Sequence, residues 1–349
     1  MLTVTSILII TIIAISLIIV FSFTNGFHDA SSIVATIISC GAASPRLAVI
    51  MAGSMVMGGA LISGAAVAYT IEGLVTLSIG SAYVYVLVAA ASAAVIWNLI
   101  TWKFGLPSSS TQALVGGLIG ATIVAGGAEG IFWGFDELIG SNHEIVGFMK
   151  ILLFLIISVL IGLSLGYLIQ KISKLLLRNA KRKVNKSIKK VQWVTAALLA
   201  FSYGSNDSQK QMGIIVLILL SGGYVSTMDI PLWVRVICGA AMLAGVIGGG
   251  WPIMKTLGRR IYPIEPIHSL NSQVASTSSI LASTIAGAPI SSTQVVASSI
   301  VGVGAADNPK MLQWSVGKDM LIAWFLTIPA AMALSMLLYY PLHILLTGG

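Results

Sequence analysis

The run "GLPSSSTQALVGG", residues 105–117, recurs as "GAPISSTQVVASS", residues 287–299. Each copy sets a proline and a cluster of hydroxyls inside otherwise apolar sequence. Irregular polar backbone at hydrocarbon depth is tolerated only where it is buried in protein or lines a water-filled cavity. Two copies therefore predict a place where two such segments meet. Proline lacks an N–H and clashes with the preceding turn, so Pro107 and Pro289 are expected to stop the incoming helix. The Ser/Thr cluster that follows is a natural N-cap for the next one. A helix N-terminus presents unpaired N–H groups and the positive end of the dipole. With hydroxyls alongside, that is an anion site. Two of them face to face would cage a tetrahedral oxyanion, using Ser108, Ser109, Ser110 and Thr111 from the first copy and Ser291, Ser292 and Thr293 from the second. Small hydroxyl residues also pack membrane helices closely. Duplication behind a proline favours the anion site.

Hydrophobic residues make up 57% of the chain and charged residues 9%, against about a quarter charged in a soluble domain. Uncharged runs recur at 47–71, 73–102, 104–128, 151–170, 236–254 and 320–349. A span needs roughly 20 apolar residues, so the chain is expected to cross the bilayer about ten times. The first run, residues 2–23, has neither a basic n-region nor a small-residue cleavage site, and reads as a span rather than a signal peptide. Of 19 Lys and Arg, nine fall in "KISKLLLRNAKRKVNKSIKK", residues 171–190, with no acid among them. That is the bias of a cytoplasmic loop, free to touch anionic lipid heads; no nucleic-acid role is assigned to it. Cys40 and Cys238 lack metal or redox spacing and read as inert.

The basic segment divides the chain into a first membrane repeat (1–170), a cytoplasmic loop (171–190) and a second membrane repeat (191–349). The two repeats match. In "FTNGFHDASS" and "FSYGSNDSQK" one constant offset pairs Phe23 with Phe201, Gly26 with Gly204 and Asp29 with Asp207. Two matched motifs in the same order point to an internal duplication. With 171–190 inside, the acidic stretch holding Glu129, Asp136, Glu137 and Glu144 falls outside, and Arg46, Lys255, Arg259 and Arg260 fall inside. Both termini are then outside a plasma membrane. Each repeat has odd parity, so the expected fold is an all-α polytopic membrane protein of two inverted-topology repeats with broken helices. Parity allows each hydroxyl motif either to join two full spans or to form the tip of a re-entrant hairpin. Chemistry favours two re-entrant hairpins meeting near the midplane.

Asp29 and Asp207 interrupt long apolar stretches, and an ionisable residue inside a membrane is costly enough to be functional by default. Gly26 and Gly204 are expected to let those helices break, exposing carbonyls to a cation. A divalent oxyanion beside two carboxylates brings about −4 into one pocket. At an effective dielectric of ~20, unit charges ~5 Å apart repel by roughly 3 kcal/mol, so the pocket must take in cations. Lys103 and Lys210 stand only at the motif margins, with Lys103 expected to snorkel or line a wet cavity. Symport with Na⁺ or H⁺ follows.

"NGFHDASSIVAT", "SYGSNDSQKQMGI", "GLPSSSTQALVGGLIGA" and "GAPISSTQVV" resemble the PiT-type inorganic phosphate transporter family in its bacterial form. The resemblance runs through both halves. It implies import of inorganic phosphate by symport, with Asn25, Asp29, Asn206 and Asp207 serving cation and phosphate binding. Where the family commonly has His after the hydroxyls this chain has Gln112 and Gln294, additional candidate ligands. An amide carries no proton at working pH, which tilts the coupling ion from H⁺ toward Na⁺. His28 reads as a hydrogen-bonding neighbour of Asp29. No prosthetic group and no enzymatic activity are expected, and a homo-oligomer is compatible with the chain. The alternatives are a sulfate permease of the same family, a passive anion channel, which needs no carboxylates, and an intramembrane aspartyl protease, which leaves both hairpins without a role.

Overall fold

The computed structural model describes residues 4–78, 80–140, 143–181 and 183–347. Residues 1–3 and 348–349, the ends assigned to the outer face, lie outside the described residues, as does Arg182 of the basic segment. The regular structure is helical, apart from an isolated bridge between Val75 and Ile131. In chain order the α-helices are α1 (Val4–Ser39), α2 (Pro45–Ile62), α3 (Ala66–Glu72), α4 (Ser81–Phe104), α5 (Ser110–Gly126), α6 (Phe135–Ile139) and α7 (Gly147–Leu176). After the basic connection come α8 (Val184–Ser221), α9 (Leu232–Gly248), α10 (Trp251–Lys255), α11 (Pro266–Ile285), α12 (Ser292–Asp307) and α13 (Trp314–Thr347). The basic segment is largely helical, because α7 runs through Leu176 and α8 opens at Val184.

Among the described residues, five helices are long and apolar enough to cross a membrane, or six if the bent pair Leu232–Gly248 and Trp251–Arg260 is one span. That is fewer than the roughly ten spans that run length predicts. Part of the reason is polarity, since α8 and α11 have the length but not the apolar composition, and part is geometric. The apolar run 47–71 is shared between α2 and the short α3, and α5 and α12 have only 17 and 16 residues. At 1.5 Å per residue each reaches about 25 Å, short of a ~30 Å hydrocarbon core.

The aspartate helices do not break where expected. α1 continues for 36 residues through Gly26, and α8 for 38 residues through Gly204. These glycines serve close helix crossing instead. A Cβ on Gly26 would overlap the carbonyl oxygen of Met242 in α9, and one on Gly204 would overlap that of Val56 in α2. The contacts are reciprocal: Gly245 of α9 presses on the Phe23 carbonyl and Gly59 of α2 on that of Phe201. The breaks lie one helix further on. The chain bends by 61° between α9 and α10 at Gly249 and Gly250, and α2 gives way to α3 at residues 63–65.

Both hydroxyl motifs form helical hairpins, α4–α5 and α11–α12. The incoming helices stop before the prolines. Gly105 and Gly287 take left-handed φ of 65° and 64°, and Leu106 N and Ala288 N return to the carbonyls of Thr101 and Ser283 at 2.9 Å. Such a glycine cap satisfies the orphan carbonyls, and proline then forbids continuation. Ser109 and Ser291 cap the outgoing helices, accepting from the N–H of Gln112 and Gln294 at 3.1 and 3.4 Å. The hairpin bases sit at opposite ends of α13. Tyr85, near the start of α4, packs edge-on to His343 near the C-terminus of α13, with ring centroids 5.0 Å apart. Gln313, just before α13, bonds Ile261 O at 3.1 Å beside the start of α11. The tips meet in the middle, where Thr111 Oγ1 donates to Ile290 O at 2.7 Å and Gln294 Nε2 to Gln112 Oε1 at 2.9 Å.

Gly204→Ala and Gly245→Ala should each lose about 1–3 kcal/mol by overpacking a backbone crossing. Thermal melts of the detergent-solubilised protein test this, with Gly317→Ala, where a Cβ meets nothing within 4 Å, as the control that keeps its melting temperature.

Candidate functional site

The two hairpin tips close on the middle of α1 and α8, and every sequence-predicted candidate lies in that junction. All are buried, with Asp29 2% and Asp207 1% exposed. Asp29 is bound from three directions. Ser110 Oγ of the first tip donates to Oδ2 at 2.8 Å, Thr293 Oγ1 of the second tip to Oδ1 at 2.8 Å, and His28 Nδ1 reaches Oδ1 at 2.6 Å. Ser110 Oγ also lies 3.0 Å from Asn25 Oδ1, which accepts from Tyr203 OH at 2.9 Å. One carboxylate therefore holds α1 to both hairpins.

Asp207 repeats half of that pattern. Ser292 Oγ, the counterpart of Ser110, donates to Asp207 Oδ2 at 3.2 Å. Asp207 Oδ1 is paired with the Lys210 ammonium one helical turn along α8. Lys210 is thus no marginal residue. Its side chain is buried, and Nζ also donates to Thr111 Oγ1 at 2.5 Å and Ile290 O at 2.8 Å. The pocket carries a fixed cation that motif position alone places at the edge. An i,i+3 spacing puts both side chains on one face of the helix. Lys103, the other marginal lysine, is exposed near the C-terminus of α4.

Ser108 Oγ turns to Thr101 Oγ1 at 2.8 Å and His28 Nε2 at 3.3 Å, tying the first tip to the histidine. Ser109 and Ser291 are occupied as caps, and Gln112 and Gln294 link the two tips. Asn206 Nδ2 donates to Thr284 Oγ1 at 2.9 Å and Ala288 O at 3.1 Å, and its Oδ1 is buried without a protein partner. A buried acceptor without a donor is a costly arrangement, and an amide oxygen here suits a cation or an incoming donor. Among the described residues no three or more His, Cys, Asp or Glu side chains converge as a metal cluster. Cation ligands at the junction are carboxylate, amide, hydroxyl and carbonyl oxygens. Tyr203 and Thr101 belong to the junction although neither was expected there. Tyr203 could have been found, since the repeat offset places it opposite Asn25; nothing local marks Thr101.

Apolar helices long enough to span a bilayer, wrapped around a buried cluster of carboxylates and hydroxyls, define a multi-pass membrane protein. The model of the "Phosphate transporter family" matches residues 25–335, and the chain belongs to that family. A relative from Bacillus subtilis (strain 168), named "Probable low-affinity inorganic phosphate transporter", is 39% identical over 97% of this chain and 98% of its own. A relative of the same name from Rhizobium meliloti (strain 1021) is 35% identical over 92% of each chain. A solved structure named "The sodium-dependent phosphate transporter" is similar at a TM-score of 0.78, with 25% identity, 96% of this chain and 99% of that one covered. These relatives are transporters, and the chain is read as a transport protein, not an enzyme.

The hairpin hydroxyls should contribute from both sides. Ser110→Ala/Thr111→Val and Ser292→Ala/Thr293→Val are each expected to weaken phosphate binding by at least about a hundredfold, two charge-assisted hydrogen bonds being worth about 1.5–3 kcal/mol each. Equilibrium binding of labelled phosphate to purified variants measures this. A loss confined to one pair would place the anion in a single hairpin.

Proposed function

We propose that the protein imports inorganic phosphate by symport with Na⁺, alternating access about the junction of the two hairpins. The observation that carries this reading is where the hydroxyls point. Ser110, Thr293 and Ser292, the donors suited to phosphate, are hydrogen-bonded to Asp29 and Asp207. Phosphate and carboxylate therefore compete for the same protons. A cation arriving on the Asp29 carboxylate, with Asn25 beside it, satisfies the oxygens that held Ser110 and Thr293. The freed hydroxyls then turn toward the anion, and the α5 and α12 N-termini add their dipoles. Without the cation, phosphate would meet an uncompensated carboxylate in a pocket closed to water. Coupling is thus a consequence of shared donors. Similarity to a transporter described as sodium-dependent supports sodium as the ion.

Alternating access draws on the duplication. The reciprocal glycine crossings of α1 with α9 and α8 with α2, and hairpin bases at opposite ends of α13, support two inverted repeats, 1–170 and 191–349. On this reading each hairpin is re-entrant, entering from its own face of the plasma membrane. Lys189 Nζ reaches Gly41 O at 3.1 Å and Lys174 pairs with Asp307 at 3.0 Å. Those contacts gather the basic segment, the Arg46 turn and the base of the second hairpin at one end, assigned to the cytoplasm by the positive-inside bias. The termini then lie outside.

A second reading concerns the ion. With His28 Nδ1 on Asp29, Nε2 faces Thr101 Oγ1 at 3.1 Å and Ser108 Oγ at 3.3 Å. Hydroxyls either donate or accept, so the ring is accommodated neutral or protonated, and a proton on this pair would do the work of Na⁺.

Proteoliposomes with imposed Na⁺ and H⁺ gradients, labelled phosphate, and sulfate as competitor separate these readings. Uptake is expected to follow Na⁺ and to resist sulfate. Asp29→Asn should abolish cation-dependent uptake while the protein stays folded, because the amide keeps the size and loses the charge. Normal coupled uptake by Asp29→Asn would sink the assignment.

A further inference from the structure

Among the repeat positions at which the two halves of the site differ, one sets a lysine opposite a serine. The offset that pairs Asp29 with Asp207 pairs Ser32 with Lys210. Ser32 Oγ turns back on its own helix, donating to Asp29 O at 2.7 Å. Lys210 instead reaches across the junction. The hydroxyl pattern shifts accordingly. Thr293 donates directly to Asp29, whereas its counterpart Thr111 does not bond Asp207. Thr111 accepts from Lys210 and donates to Ile290 O. The ammonium stands between Thr111 and Asp207.

We infer that Lys210 is a tethered counter-cation that permanently fills the second half-site, leaving the Asp29 half as the one that exchanges a coupling ion. Its three N–H donors meet three oxygens: the Asp207 carboxylate, the Thr111 hydroxyl and the Ile290 carbonyl. An ammonium has three donors to satisfy, and all are used. Carboxylate, hydroxyl and carbonyl oxygens are also the set a hard cation takes, so an ion could enter only by expelling the ammonium. Expulsion is blocked because the lysine is 1% exposed, and an unpaired buried charge is strongly destabilising. At Asp29 the corresponding partner is His28, a ring that in its neutral form donates a hydrogen bond without cancelling the charge. The Asp207–Lys210 unit is neutral, whereas the Asp29 unit with a neutral ring is negative. This half-occupied arrangement rests on the symport reading, and it deepens it: bound phosphate demands one imported cation fewer than two bare carboxylates would.

Two variants of the full-length protein test this. Lys210→Met restores a bare Asp207; Asp207→Asn/Lys210→Met deletes the neutral unit whole. One readout is the Na⁺-to-phosphate ratio from reversal potentials in proteoliposomes. The other, needing no transport, is the melting temperature of purified protein against log[Na⁺], whose slope scales with the ions bound. Lys210→Met is expected to take one more Na⁺ per phosphate and about double that slope. The double variant, at whatever uptake rate it keeps, is expected to hold the wild-type Na⁺-to-phosphate ratio and slope. Wild-type values for Lys210→Met overturn the inference, as does a lowered ratio or slope in the double variant. If Lys210→Met does not fold, the double variant decides alone. If the double variant folds without transporting, its Na⁺ slope decides. Wild-type vesicles that take up no phosphate under any gradient overturn the symport reading instead, while the melting slopes still judge Lys210.

Discussion

The Asp29 carboxylate accepts hydroxyls from both hairpins while sitting in the middle of an unbroken helix. Much of the architecture follows from that convergence. An ionised carboxylate inside a membrane persists only if it is paired and fully hydrogen-bonded. Here Ser110 and Thr293 come from tips far apart in sequence, and His28 closes the remaining side. Each tip has to arrive at the same depth from its own direction. The glycine caps at Gly105 and Gly287 and the prolines behind them end α4 and α11 where this is possible. A tip placed one turn deeper or shallower would leave the carboxylate with an orphan oxygen.

The proposed duplication would account for how such a junction is supplied from two sides. The same logic governs the helix crossings: Gly26 against Met242 and Gly204 against Val56 are one contact made twice. Bringing backbones together through glycine fits a bilayer, where apolar side chains gain little by leaving lipid for protein and close van der Waals packing drives association. Those crossings fix α1 and α8 next to each other, so that Tyr203 of one reaches Asn25 of the other at 2.9 Å. In the proposed cycle the crossings act as the pivot and the hydroxyls as the movable part.

Symmetry is then broken by chemistry. Asp29 is answered by an imidazole and Asp207 by an ammonium. A symmetric pair of bare carboxylates would repel each other across the junction and demand more cations for each anion carried. Converting one into a neutral pair reduces that demand, while the reciprocal hydroxyl contacts of Ser110 and Ser292 are retained.

Membrane class and the residue types that meet at the junction were legible in the chain itself. They depend on composition, run length and local spacing, which a linear sequence carries directly. The hydroxyl clusters capping α5 and α12 were readable for the same reason, since a cap is a contact between residues three apart. What only the tertiary structure decided was partnership between distant elements. Gly26 looked like a break in a helix because glycine weakens helices locally; the backbone of Met242 pressing on it makes it a crossing point. Lys210 looked marginal because it follows the aspartate motif, and became central because α8 turns it toward Thr111 and Ile290 from two other helices' ends. Thr293 falls on Asp29 rather than on the nearer-numbered Asp207 because the two tips meet beside α1 and α8. A residue's neighbours within a helical turn are written in the sequence; its neighbours across the bundle depend on how whole helices pack.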